Sequence, residues 1–209
     1  MRTSLLLIVA SCIAGQGVGG SPAAEKTESA ALPDQQPLGG DSTVVRPDSA
    51  EALQQLATRL QQAYAREDAQ AVLQITRGLL PNEEQILAAL APDVSAEDRA
   101  KVMEWHAALS KDDKSLLKLL AMQAAQTKVV VHSATTEQLA GKESAPEAIQ
   151  KFPGGAAEAA RKGVLRPGRK FHEVEFLEPG KDAGMRFHLF YWNGSSWSML
   201  GPIWRKVRR

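Results

Sequence analysis

A chain of 209 residues, 44% hydrophobic and 23% charged, has the makeup of a folded globular protein and lacks the bias of a disordered one. Its formal net charge of +1 supplies no global field that would draw in nucleic acid or an acidic membrane. The single cysteine, Cys12, excludes an internal disulfide framework and leaves a hydrophobic core as the source of stability.

Arg2 precedes the apolar run LLLIVA at residues 5–10, and small residues follow through Gly20. A basic start, a short apolar stretch and a small-residue tail predict a secretory signal. The run is too short to span a bilayer, which takes about 20 apolar residues. Two fates compete. Val9-Ala10-Ser11-Cys12 resembles the lipobox of bacterial lipoproteins, in which the cysteine is acylated. Cleavage after Ala23, with Ser21 and Ala23 as its small residues, would instead release a chain without an anchor. Either route predicts export to the periplasm, the cell surface or beyond, with membrane contact only through a lipid on Cys12. Residues 1–23 are therefore read as signal. Residues 24–47, rich in Gly, Ser, Pro and Ala without hydrophobic period, are read as a flexible tether, and 48–209 as one domain.

That domain opens on Asp48-Ser-Ala-Glu51, which has the form of a capping box. Leu53, Leu56, Ala57, Leu60 and Tyr64 then fall on one helical stripe. A second helix carries Val72, Ile75 and Leu79 before Pro81, and a third presents Ile86, Leu87 and Leu90 before Pro92. Ser95 caps a fourth, with Val102, Trp105, His106 and Leu109 at 3–4 spacing. After Asp112-Asp113, Leu116, Leu117, Leu119, Leu120 and Met122 predict another helix. At Lys128 the pattern turns β-branched, and Val129-Val130-Val131 predicts a strand. Residues 143–162 read as a helical connection in two pieces around Phe152-Pro153-Gly154-Gly155.

Residues 171–177 alternate, with His172, Val174 and Phe176 opposite Glu173 and Glu175. A seven-residue loop, 178–184, leads into the final hairpin, whose turn is marked by Asn193-Gly194. Either a two-residue loop or a four-residue loop through Ser196 yields the same sorting of side chains. Arg186, His188, Phe190 and Trp192 then share a face with Trp197, Met199 and Ile203, while Met185, Phe187, Leu189 and Tyr191 join Leu200 and Trp204 on the other. With Leu177 opposite Met185, His172, Val174 and Phe176 fall on the His188 face. Both faces are apolar, so the sheet must be covered on both or curl around its contents.

The whole is α+β: several N-terminal helices, then a curved antiparallel sheet of about four strands ending in a C-terminal β-hairpin. This order resembles the nuclear-transport-factor-two-like family, which includes SnoaL-like cyclases and isomerases and many exported binding domains, over residues 48–204. The strings FPGG at 152–155, EVEFLEPGKDAG at 173–184 and HLFYWNGSSWSMLGPIWR at 188–205 resemble those of exported bacterial proteins of uncharacterised activity.

The candidate chemistry is sparse. SnoaL-like enzymes do acid–base work with a His or Asp in their cone, and His188, with His172 on the same face, is the candidate for that role, although a strand histidine among Phe, Met and Trp is more often a hydrogen-bonded structural residue. Glu173 and Glu175 point one way and could hold a cation or act as paired carboxylates, but a solvated sheet face is the simpler explanation. Four histidines with no cysteine beyond the signal give no zinc signature, and His106 has Ser110 where a second ligand would sit. The glycine-rich run 15–20 lies in the signal, so no cofactor is implied. Two basic runs, from Arg161 and Lys162 through Arg166, Arg169 and Lys170, and from Arg205 to the C-terminus, could meet acidic polysaccharide, lipid headgroups or a protein.

These observations favour a non-catalytic binding or scaffolding domain of the cell envelope. Its partner would be an envelope protein, a polysaccharide or a small apolar ligand, with no nucleic acid, met through Trp192, Trp197 and Phe190. A small enzyme using His188 in a cone-shaped pocket is the alternative, and an inhibitor presenting the 178–184 loop is a third reading.

Overall fold

A computed structural model of the chain describes residues 45–207. The signal, Cys12, most of the tether, and Arg208 and Arg209 of the basic tail lie outside the described residues.

The first six helices begin where side-chain acceptors meet their free N–H groups. Helix α1 (Ala50–Ala65) is capped by Ser49, which accepts from the Ala52 N–H. The cap is therefore one residue later than the sequence pattern suggests, because Asp48 is drawn into an ion pair with Arg46 at 2.9 Å. Helices α2 (Ala69–Leu79), α3 (Glu83–Ala89), α4 (Ala96–Leu109) and α5 (Asp113–Leu119) start at Asp68, Asn82, Ser95 and Asp112. Strand β1 (Lys128–Thr135) runs well past the valine triplet. Thr135 and Gln138 then form a capping box for the one-turn helix α6 (Thr136–Leu139), which the sequence reading does not anticipate. The two-piece connection is α7 (Pro146–Lys151) and α8 (Gly154–Arg161).

Strands β2 (Lys170–Leu177), β3 (Met185–Trp192) and β4 (Trp197–Met199) complete an antiparallel sheet of order β1-β2-β3-β4. The last two strands are joined by the four-residue turn 193–196, with Trp192 opposite Trp197. The Asn193 side chain ties the turn, accepting from the N–H groups of Ser195 and Ser196. A 3-10 turn, Ile203–Arg205, follows.

The sheet is covered on both faces. On one, Leu53, Ala57 and Leu60 of α1, Val72 and Leu79 of α2, and Leu120 pack on Val129, Val174, Phe176, Phe190, Trp197 and Met199. On the other, Ile86 of α3, Val102 of α4 and the alanines of α8 pack on Phe171, Leu189, Tyr191, Leu200 and Ile203. Gly155 permits the closest of these approaches, since a Cβ there would sit 2.2 Å from the Trp204 ring.

The hairpin sorting expected from simple alternation fails at one residue. His172 pairs with Phe190 and Val174 with Phe187, so Glu173 alone faces both His188 and Leu189. Leu189 takes the left-handed conformation, φ +56°, and is wholly buried. This bulge reverses the parity of β3. Phe187 therefore joins Phe190 and Trp192, while Arg186 and His188 fall on the Leu189, Tyr191 and Trp204 side. Ile203 also lies on that side, with Leu200. Phe176, not Leu177, stands opposite Met185.

Trp197 is 6% exposed and meets both His172 and Trp192 edge-on, at 5.1 and 5.7 Å between ring centroids. Trp197→Ala should cost about 3–5 kcal/mol; an unchanged urea midpoint would show that this ring is not part of the core.

Candidate functional site

Two places in the fold carry polar groups that packing alone does not explain. The first lies on the α8 side of the sheet. By alternation, Glu173 and Glu175 of β2, His132 of β1 and Arg186 and His188 of β3 share this face. Glu173 and Glu175 are not solvated, as their polar–apolar alternation had suggested, but 0% and 2% exposed. Helices α7 and α8 cover the face that would otherwise be wet. Glu175 accepts from Arg186 Nε at 2.9 Å and the Gly184 N–H at 3.0 Å, and lies 3.2 Å from His132 Nε2. Burial pushes its pKa up, but Arg186, His132 and the Gly184 N–H together hold it below the ordinary carboxylate value. Glu173 lies 3.1 Å from His188 Nδ1, while its other oxygen is buried without a hydrogen-bond partner. Arg186 also donates to the Lys151 carbonyl of α7, and the His188 ring packs 5.5 Å from that of Trp204.

His172 stands on the opposite face from His188, so the two do not form a pair; the Leu189 bulge separates them. His172 is 2% exposed, its Nδ1 2.8 Å from the Ser133 hydroxyl, and burial together with the Lys170 charge pushes its pKa down to about 4. His106, packed against Trp105 on α4, is likewise pushed down to about 4 by burial, with only a weak opposing pull from the Leu200 backbone. No group of three or more His, Cys, Asp or Glu among the described residues could hold a metal ion.

The second place is a cleft of about 280 Å³ where the loop entering β2 meets the end of β3. Arg166, Pro167, Gly168, Arg169, Lys170, His172 and Trp192 line it, with Asp48 across from them. The loop is held from beneath. Thr136 donates to the Arg166 carbonyl at 2.7 Å, the Thr136 N–H to the Arg169 carbonyl at 2.9 Å, and the Gly168 N–H to Glu137 at 2.7 Å. Gly168 has φ +72°, a conformation that a side chain would strain. Arg169 donates to the Trp192 carbonyl at 2.9 Å and lies over the Tyr191 ring at 5.4 Å. Burial, and the like charge of Arg166, weaken its hold on its proton.

Among the described residues, no carboxylate forms an ion pair with Arg166, Arg169 or Lys170. Arg166 donates to the Leu87 carbonyl, yet its Nε is buried without a partner. The rest of that basic run is elsewhere: Lys162 pairs with Glu158 on α8 at 3.0 Å. Of the second basic run, Arg205 and Lys206 line a separate groove on α4 with Glu97, Glu104 and Lys101.

Of the three aromatics expected to meet a ligand, Trp192 alone lines this cleft; Trp197 and Phe190 are core, at 6% and 3% exposure. The apolar space between α1, α2 and the sheet is only about 10 Å³, room for no more than one water. Among the described residues no helix is long and apolar enough to cross a membrane. Comparison of the chain with protein-family models, curated proteins and solved structures finds no match.

Glu175→Ala leaves Arg186 and the Gly184 N–H without their acceptor and should cost about 3 kcal/mol in denaturant unfolding; a loss below about 0.5 kcal/mol would show that the row contributes little to stability.

His106 and His172 both have folded pKa values of about 4 against 6.5 unfolded, so the unfolded chain binds more protons between those values. Stability should be complete above about pH 6.5 and fall as the pH drops towards 4. The depressed Glu175 adds to the loss at the acid end. His106→Leu removes one titrating group whose nitrogens have no full hydrogen bond, so its unfolding midpoint should fall less between pH 7 and 4.5. Equal slopes for the two proteins would remove His106 from this account.

Proposed function

We propose that the chain is an exported, non-catalytic binding domain of the cell envelope whose ligand is anionic and sits in the cleft of Arg166, Arg169, Lys170 and Trp192. The observation that carries this reading is three cations converging on one concave surface, none of them within ion-pair distance of a carboxylate among the described residues. Like charges gathered this way repel, and the arrangement becomes favourable once an anion bridges them. The pinned backbone of the loop preorganises the donors, which lowers the entropy cost of binding. Export itself rests on the leader-like residues 1–23, with Cys12 as the alternative anchor point. The relationship to nuclear-transport-factor-two-like domains is part of the same proposal, supported by helices that precede an antiparallel sheet.

A small enzyme using His188 is the second reading. It is favoured by the Glu173 carboxylate at His188 Nδ1, an arrangement that fixes an imidazole for proton transfer from Nε2.

The test is titration of the full-length protein with dextran sulfate, followed by tryptophan fluorescence. Binding should weaken steeply with salt, and Lys170→Glu should weaken it about tenfold while Lys206→Glu, outside the cleft, leaves it nearly unchanged. No salt-dependent binding, or equal loss in both variants, would overturn the cleft as an anion site.

A further inference from the structure

The cleft carries more than positive charge, and its remaining groups narrow the ligand. Resting on the reading of the cleft as an anion site, we infer that its ligand is an acidic saccharide: a uronic-acid carboxylate held by Arg166, Arg169 and Lys170, with the sugar ring laid against Trp192. Four features carry this. Arg169 keeps guanidinium donors beyond the one used on the Trp192 carbonyl, and a planar fork suits a carboxylate. Trp192 is half-buried and braced edge-on by Trp197, so it offers a fixed apolar surface for the C–H face of a sugar.

Asp48 lines the cleft with the cations, near enough to Lys170 for the two charges to interact. Its bond to Arg46, and more weakly Lys170, hold its carboxyl below the ordinary range, so it is an acceptor at neutral pH. A carboxylate there accepts from hydroxyls, which a sugar ring carries in number and sulfate lacks. Finally, about 280 Å³ is near the lower end of small-molecule sites and larger than one inorganic anion needs.

The experiment is calorimetric titration of the full-length protein with four probes: a galacturonic-acid tetramer, the matching neutral galactose tetramer, inorganic phosphate and adenosine monophosphate. The uronate should bind, with the neutral tetramer and phosphate each about tenfold weaker or more. Lys170→Glu and Trp192→Leu should each reduce uronate binding about tenfold. Lys170 is exposed and needed by no core contact, so its variant keeps the test clear of misfolding, and a melt of Trp192→Leu checks that fold directly. Neutral and acidic tetramers binding alike would overturn the carboxylate assignment. Phosphate or the nucleotide binding, with loss in Lys170→Glu, while the uronate does not, would overturn the saccharide and leave the anion site standing. No binding of any anion would overturn both.

Discussion

The arrangement of both polar sites depends on one extra residue in β3. A strand alternates its side chains, and Leu189 interrupts that alternation by accommodating two residues opposite Glu173. Before it, Arg186 and His188 point to the α8 side; after it, Phe190 and Trp192 point to the α1 side. Without the bulge, His188 could not approach Glu173, or Trp192 could not reach the cleft. A leucine at φ +56° costs conformational energy that glycine would not. Its complete burial against Tyr191 and Leu200 offsets that cost, and the Leu189 and His188 carbonyls stay bonded to the N–H groups of Leu200 and Gly201.

The row that the bulge assembles is not a source of large net stability. Two buried carboxylates lose hydration, and Arg186, the only fixed positive charge among them, returns part of that loss. Removing one member is expected to be damaging because it strands the others, which differs from the row being worth that much. What the row does provide is specificity of register. His132 opposite Glu173 and Arg186 opposite Glu175 tie three strands together at fixed pairings, and a one-residue slip would carry both carboxylates into the Phe176 and Val174 core.

Legibility followed the range of the interactions. Local chemistry is readable: Ser95 as a cap, a helix after Asp112-Asp113, Asn193-Gly194 as a turn, Pro153-Gly154-Gly155 as the break between α7 and α8. The strand residue His132 escaped notice because the valine triplet before it carried the whole strand signal, and β1 continues four residues beyond those valines. The bulge was illegible since leucine is an unusual residue for left-handed backbone, where glycine or asparagine would have marked it. Glu173 and Glu175 alternate with apolar residues, a pattern that predicts a wet face; only tertiary contact with α7 and α8 seals it. The cleft was half visible, as a basic run and a tryptophan, but nothing local indicates that residues 166–170 and Trp192 meet.

The same geometry sets the relation between the binding reading and the catalytic one. The His172 and Trp192 side chains of the cleft lie on the opposite face of the sheet from His188, so a ligand laid against Trp192 is turned away from the His188 ring. His172 is the imidazole on the cleft's side, and burial keeps it neutral well below neutral pH, bonded to Ser133. A neutral, pinned imidazole can orient a hydroxyl but is a poor base near pH 7, since its conjugate acid is formed only near pH 4. A saccharide in the cleft is therefore expected to be held rather than transformed. Any acid–base chemistry would belong to a separate ligand approaching His188 beside Trp204.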